Sequence, residues 1–131
     1  MSSPNLKAEV ILTWGDGDYL FALRGKEIEE LEHQCGKVGV GAIYQRVVMG
    51  VWFWGDLYHI IRLGLIGGGT GAVEAKRLVD MYVGKEQASI PLVTGPNSPE
   101  TVAQAILNAA FHGVGEINSG ERQAGEAPAT A

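Results

Sequence analysis

Trp14-Gly15-Asp16-Gly17-Asp18-Tyr19, flanked on both sides by alternating apolar residues, restricts the fold more than any other stretch of the chain. Asp-Gly is favoured in two-residue hairpin turns whose central residues both need positive φ. A turn on Asp16-Gly17 pairs Gly15 with Asp18, Trp14 with Tyr19, Leu12 with Phe21 and Val10 with Leu23. The six apolar side chains Val10, Leu12, Trp14, Tyr19, Phe21 and Leu23 then share one face. On the other face Glu9 sits opposite Arg24, Ile11 opposite Ala22 and Thr13 opposite Leu20. A two-stranded ribbon is not stable alone in water, so the aromatic face needs a cover.

The remainder of the chain supplies helices. Gly25 to Cys35 has acidic Glu27, Glu29 and Glu30 in its early turns and a stripe of Ile28, Leu31 and Cys35. Val40, Ile43, Tyr44, Val47 and Val48 fall at helical spacing before Gly50. Asp56 is placed to cap a third helix through Ile66, apolar around most of its circumference and therefore central. Thr70 is placed to cap a fourth, with Ala72, Ala75, Val79 and Tyr82 on one face and Gly84 at its end. Ser89 to Asn97 carries two prolines and reads as a loop, with Ile90, Leu92 and Val93 available to dock on the core. Ser98-Pro99-Glu100 opens a fifth helix, with Val102, Ala103, Ile106, Leu107, Ala110 and Phe111 on its apolar side and Gln104, Asn108 and His112 opposite. From Gly113 the composition turns to Gly, Ala, Glu and polar residues, which predicts a disordered tail over 113–131. The expected fold is α+β: one domain over 1–112, a β-hairpin packed on four or five short helices.

Composition narrows the function. The net charge is −5, and the ten basic residues are scattered with no run that would follow a phosphate backbone, so nucleic acid is not an expected partner. The apolar stretch from Leu57 to Ile66 is interrupted by His59 and Arg62 and is too short to span a bilayer. The start, Met-Ser-Ser-Pro-Asn, has no basic flank or apolar run of a signal peptide, and a single cysteine, Cys35, fits a reducing cytoplasm.

The glycines of Gly67-Gly68-Gly69-Thr70-Gly71-Ala72 match the G-x-G-x-x-G/A pattern of dinucleotide sites at Gly67, Gly69 and Ala72. A strand must precede such a loop, whereas Asp56 to Ile66 reads as a helix. The expectation is therefore a helix-to-helix turn at Gly67, Gly68, Gly69 and Gly71, with a nucleotide-binding enzyme using this loop as the remote alternative. Cys35 and His33 stand at i, i+2 and face different sides of a helix, which argues for a structural cysteine rather than a nucleophile and base pair. His59 and His112 lack metal-ligand spacing, and Asp16 with Asp18 is explained by turn chemistry rather than by a calcium loop. No catalytic residue, cofactor or metal is expected. Trp52-Phe53-Trp54, bounded by Gly50 and Gly55, is too short a segment to bury three adjacent aromatics on one face. Either two pack inward and one is an ordinary exposed aromatic, or Trp52, Phe53 and Trp54 rim a groove for a protein partner.

Three segments carry a resemblance: Thr13 through Arg24, Ile61-Arg62-Leu63-Gly64-Leu65-Ile66-Gly67-Gly68-Gly69, and Ala75 through Leu78-Val79 and Tyr82-Val83. Together they resemble the gene transfer agent family of small tail proteins, over about residues 9 to 112. That family is grouped with phage tail assembly chaperones and has also been labelled tail tube protein. The resemblance implies a non-enzymatic role in phage-like tail morphogenesis in the bacterial cytoplasm: a chaperone that binds the tape measure protein or other tail proteins, with self-association possible. The alternative it implies is a minor structural subunit of the tube.

Overall fold

The computed structural model describes residues 6–85 and 90–115. Strands β1 (Leu6–Lys7), β2 (Glu9–Trp14) and β3 (Gly17–Ala22) are followed by helices α1 (Gly25–Gln34), α2 (Val40–Met49), α3 (Trp54–Gly67) and α4 (Ala72–Val79). A π-helical turn, Asp80–Gly84, extends α4, and α5 (Pro99–His112) and the short strand β4 (Val114–Gly115) complete the order. The α+β expectation, a hairpin with five helices, matches this architecture.

The hairpin forms with its apolar face inward, but its register differs from the expected one. Trp14 pairs with Gly17, Leu12 with Tyr19 and Val10 with Phe21. The turn residues are thus Gly15-Asp16 rather than Asp16-Gly17, a slip of two. Gly15 has φ 63°, and neither Asp16 nor Gly17 is in the positive-φ region, which fits the glycine-first type II′ turn. The slip escapes sequence reasoning because a shift of two leaves every side chain on the same face. Tyr82 packs on this turn: a Cβ on Gly15 would lie 2.8 Å from its ring, and the ring also packs edge-on to Trp14 at 5.6 Å. The Glu9–Arg24 ion pair survives at 3.4 Å, although the backbone partner of Glu9 is Ala22. Asp16 accepts the Tyr19 hydroxyl and Asp18 accepts from Thr13 Oγ1, so both carboxylates serve the turn.

The two glycines of the turn region therefore separate cleanly. Gly15→Val is expected to cost about 2–3 kcal/mol, from a β-branched residue at positive φ and displacement of Tyr82. Gly17→Val, in extended backbone with open space at its Cβ, is expected to stay within about 0.5 kcal/mol of the parent. Urea melts of the two variants check this, and the reverse order would restore the Asp16-Gly17 turn.

One core holds the elements together. Trp14, Phe21 and Leu23 from the hairpin side meet Leu57, Ile60, Ile61 and Leu65 of α3 and Val102, Ile106 and Leu107 of α5. α3 is the central element, buried along most of its length. It begins two residues before the expected cap: Phe53 is the N-cap residue and Asp56 is at N3, where Oδ2 accepts the Phe53 N–H at 3.0 Å. Likewise Gly71, not Thr70, caps α4, and Ala72 is exposed while Ala75, Leu78, Val79 and Val83 are buried. Ser98 and Pro99 open α5 as expected, Ser98 Oγ accepting from the Thr101 N–H.

The glycine run joins α3, which ends at Gly67, to α4, which begins at Ala72, and it also packs against the hairpin. Gly67 and Gly68 lie on β3, so closely that a Cβ on either would stand 1.9 Å from a backbone oxygen, that of Ala22 and of Leu20 respectively. Only Gly69 of the run adopts positive φ. Arg24 Nε also donates to the Gly67 carbonyl at 3.0 Å. The strand pairing of Val114 and Gly115 with Lys7 and Leu6 corrects the expected start of the tail at 113. The rest of that expectation, 116–131, lies outside the described residues, as does Ser89.

Candidate partner-binding surface

α2 stops at Gly50, whose φ of 74° is the left-handed helix stop that glycine adopts without strain. Three residues, Val51 to Phe53, then connect to α3. So short a connection splays its aromatics in three directions. Trp52 is half-buried and donates its indole N–H to Glu100 Oε2 in the first turn of α5, at 2.9 Å. Phe53 is 69% exposed, with the Arg46 guanidinium over its ring at 5.3 Å. Trp54 is 36% exposed and leans on Tyr58, 5.0 Å between ring centroids. The trio is therefore not one patch.

The larger apolar surface belongs to both flanks of α2. On the flank toward α5, the Tyr44 ring stacks on Phe111 at 4.2 Å, and Val48, one turn on, is exposed. Tyr44 is fixed by donating to Asn108 Oδ1 at 2.5 Å, with His112 Nε2 at 3.1 Å from its hydroxyl. On the flank toward α3, Met49 is 66% exposed, and Arg46 and Phe53 border a cleft of about 380 Å³ shared with Cys35 and Val38. Val51 is exposed at the connection. Val48, Met49, Val51 and Phe111 were not among the expected partner residues. The available signal was Val47-Val48-Met49 followed by Val51, more apolar side chains in five positions than one buried stripe can absorb.

Beneath the cleft lies a buried ion pair. Arg46 Nε donates to Asp56 Oδ2 at 2.9 Å and Nη2 to Oδ1 at 2.7 Å, while Nη2 also reaches the Cys35 carbonyl at 3.2 Å. Asp56 is 2% exposed. This node ties the end of α1 to α2 and α3. Burial, and secondarily the Asp56 carboxylate, push the Cys35 thiol up to about 12. It stays protonated at neutral pH, which removes it as a nucleophile. His33 is exposed.

His59 lies on α3 and accepts from Arg62 at its Nδ1, 3.4 Å from Nε. Burial first, then Arg62 and Lys85, lower its pKa from 6.5 to about 4. Between those values the unfolded chain binds a proton that the folded chain refuses. The contribution is fully present above pH 6.5 and lost as the pH falls to about 4. Melts at pH 7 and pH 4.5 are expected to show a smaller acid loss for His59→Gln than for the parent, by on the order of 1–2 kcal/mol after solvent screening. Equal losses would remove the assignment.

Among the described residues no group of three His, Cys, Asp or Glu side chains converges on a metal position, and none of their helices is long and apolar enough to cross a membrane. Gly67 and Gly68 lie against the β3 carbonyls of Ala22 and Leu20 and follow a helix rather than the strand that a dinucleotide loop requires. The geometry defines a small α+β protein whose distinctive surface is apolar and helical. The chain belongs to the family described as phage tail tube protein, GTA-gp10, whose model matches residues 7–113. It is a phage-like tail protein, of a structural family that is not a known enzyme class. No curated protein and no solved structure shows significant similarity to it.

Proposed function

We propose that the protein is a tail assembly chaperone that covers apolar stripes of the tape measure protein in the bacterial cytoplasm before the tube polymerises. The observation that carries this reading is the apolar surface on both flanks of α2, with Phe53 lining a cleft, Met49 exposed near the helix end and Val48 one turn beyond the Tyr44–Phe111 stack. Helical clients present stripes of apolar residues that such grooves accept. Many copies along one long client would add avidity, and self-association would further align them. Of the three aromatics at the connection, Phe53 is the leading contact and Trp54 the second, with Trp52 supporting α5.

A tube subunit is the second reading, favoured by the family's own description. A tube ring closes through β-strands, and here the described residues contribute one hairpin and a two-residue pairing of chain ends. Co-expression with the tape measure protein, pull-down and composition of purified particles separate the two. A chaperone forms a complex and is absent from finished particles. Stoichiometric presence in particles would instead mark a tube subunit. Phe53→Ser and Met49→Ser are expected to keep the parent melting temperature and to weaken capture about 30-fold, the equivalent of a 2 kcal/mol hot spot.

A further inference from the structure

A second cleft, of about 490 Å³, opens between α1, α3 and α4 and is lined in part by Glu30, His59, Arg62, Val73, Lys76 and Lys85. Its charge is unlike that of the chain. Three of the ten basic residues of a protein with net charge −5 converge there. Their partners are few. Arg62 spends its Nε and Nη2 on the neutral His59 ring, at 3.4 and 3.1 Å. Among the described residues no carboxylate lies within ion-pair distance of Arg62 or of Lys85. Lys85 rests on the Tyr58 ring at 5.3 Å. The local acids are already engaged: Asp80 by Lys76 at 2.7 Å and by the Tyr58 hydroxyl at 2.6 Å, and Glu30 by Gln34 at 2.8 Å.

A guanidinium on a cleft wall with unused N–H donors, flanked by the Lys85 ammonium and, further along, by Lys76 in its pair with Asp80, is built to receive an oxyanion in a forked contact. At the lip stands Val73, 87% exposed on the first turn of α4. A free ion would leave it bare, whereas a peptide would cover it. We propose that this cleft docks an acidic helical segment of a protein partner, with a carboxylate on Arg62 and Lys85 and an adjoining apolar side chain on Val73. The occupant follows from charge complementarity and from the exposed valine beside the cations. It does not depend on the α2 surface or on the identity of the client there.

The test uses the full chain and three probes: a synthetic helical peptide with Glu at i and i+4 beside leucines, the same peptide with Gln for Glu, and sodium phosphate. The Glu peptide is expected to bind, to raise the pKa of His59 by about one unit in its imidazole proton resonances, and to lose affinity at least tenfold between 0.05 and 0.5 M salt. Arg62→Gln is expected to reduce that affinity at least tenfold. Because Arg62 is half-buried, the exposed pair Lys76→Gln with Lys85→Gln provides a second variant, expected to weaken binding about tenfold with the fold intact. Equal binding of the Glu and Gln peptides, no effect of either variant, or no peptide binding at all would overturn the proposal. Phosphate binding without peptide binding would overturn it in favour of a small-ion site.

Discussion

Gly67→Ala and Gly68→Ala are each expected to destabilise the protein by about 3 kcal/mol or more, lowering the melting temperature by roughly 10 °C or more. The added methyl carbon would stand 1.9 Å from the Ala22 oxygen in one case and the Leu20 oxygen in the other. Both obstacles are backbone, so no rotamer change relieves them. Relief requires lifting the end of α3 off β3, which uncovers Phe21 and Leu65, both wholly buried. Gly71→Ala, at the α4 cap with open space around it, serves as the control and is expected to cost less than about 1 kcal/mol. Thermal melts of the three variants decide the matter. If Gly67→Ala and Gly68→Ala melt with Gly71→Ala, the helix-on-strand contact is not what these glycines serve.

Arg46→Met is expected to cost about 3–5 kcal/mol, because it leaves the Asp56 carboxylate buried without a counter-charge, answered by the Phe53 N–H and the neighbouring Cys35 thiol. Methionine keeps most of the aliphatic stem, so lost packing contributes little. The pair itself is a weak source of net stability, since two charges must leave water to form it. The double variant Arg46→Met with Asp56→Leu is therefore expected to be more stable than Arg46→Met alone, by about 1 kcal/mol or more. Denaturant melts of the parent, both single variants and the double variant form the cycle. Additive losses would show that the two groups do not interact across the α2–α3 junction. The same cycle informs the function, because Arg46 supports the exposed Phe53 ring. Loss of client capture in Arg46→Met, with folding retained at low temperature, would place the Phe53 conformation in the binding event.

Much of this fold was legible in local pattern. Period-two alternation marked both strands of the hairpin, and helical spacing with Gly50, Gly84, Ser98 and Pro99 marked where helices stop and start. These signals are local, and each acts within a turn or two of chain. The candidate surface was only partly legible. Trp52, Phe53 and Trp54 were conspicuous as a cluster, yet neighbours three residues from a helix stop cannot all share one face, and the structure sends Trp52 to Glu100 and Phe53 to Arg46. Val48 and Met49 were signalled only by the surplus of apolar residues around them, and Phe111 not at all, because an apolar residue at the margin of a stripe looks the same whether a neighbour covers it or not.

The sequence by itself determined the α+β composition of the chain, the inward face of the hairpin and the central place of α3, since parity and helical periodicity are properties of consecutive residues. Tertiary structure alone decided the hairpin register, the role of the glycine run and the destiny of the charged groups. The turn of the observed register packs on Tyr82, a residue more than sixty positions later in the chain. Gly67 and Gly68 are required by β3, a strand more than forty positions earlier in the chain. Asp56, a cap by pattern, is a buried ion-pair partner because α2 brings Arg46 to it. In each case the deciding contact joins separate elements, and steric exclusion or desolvation at that contact has no counterpart in local propensity.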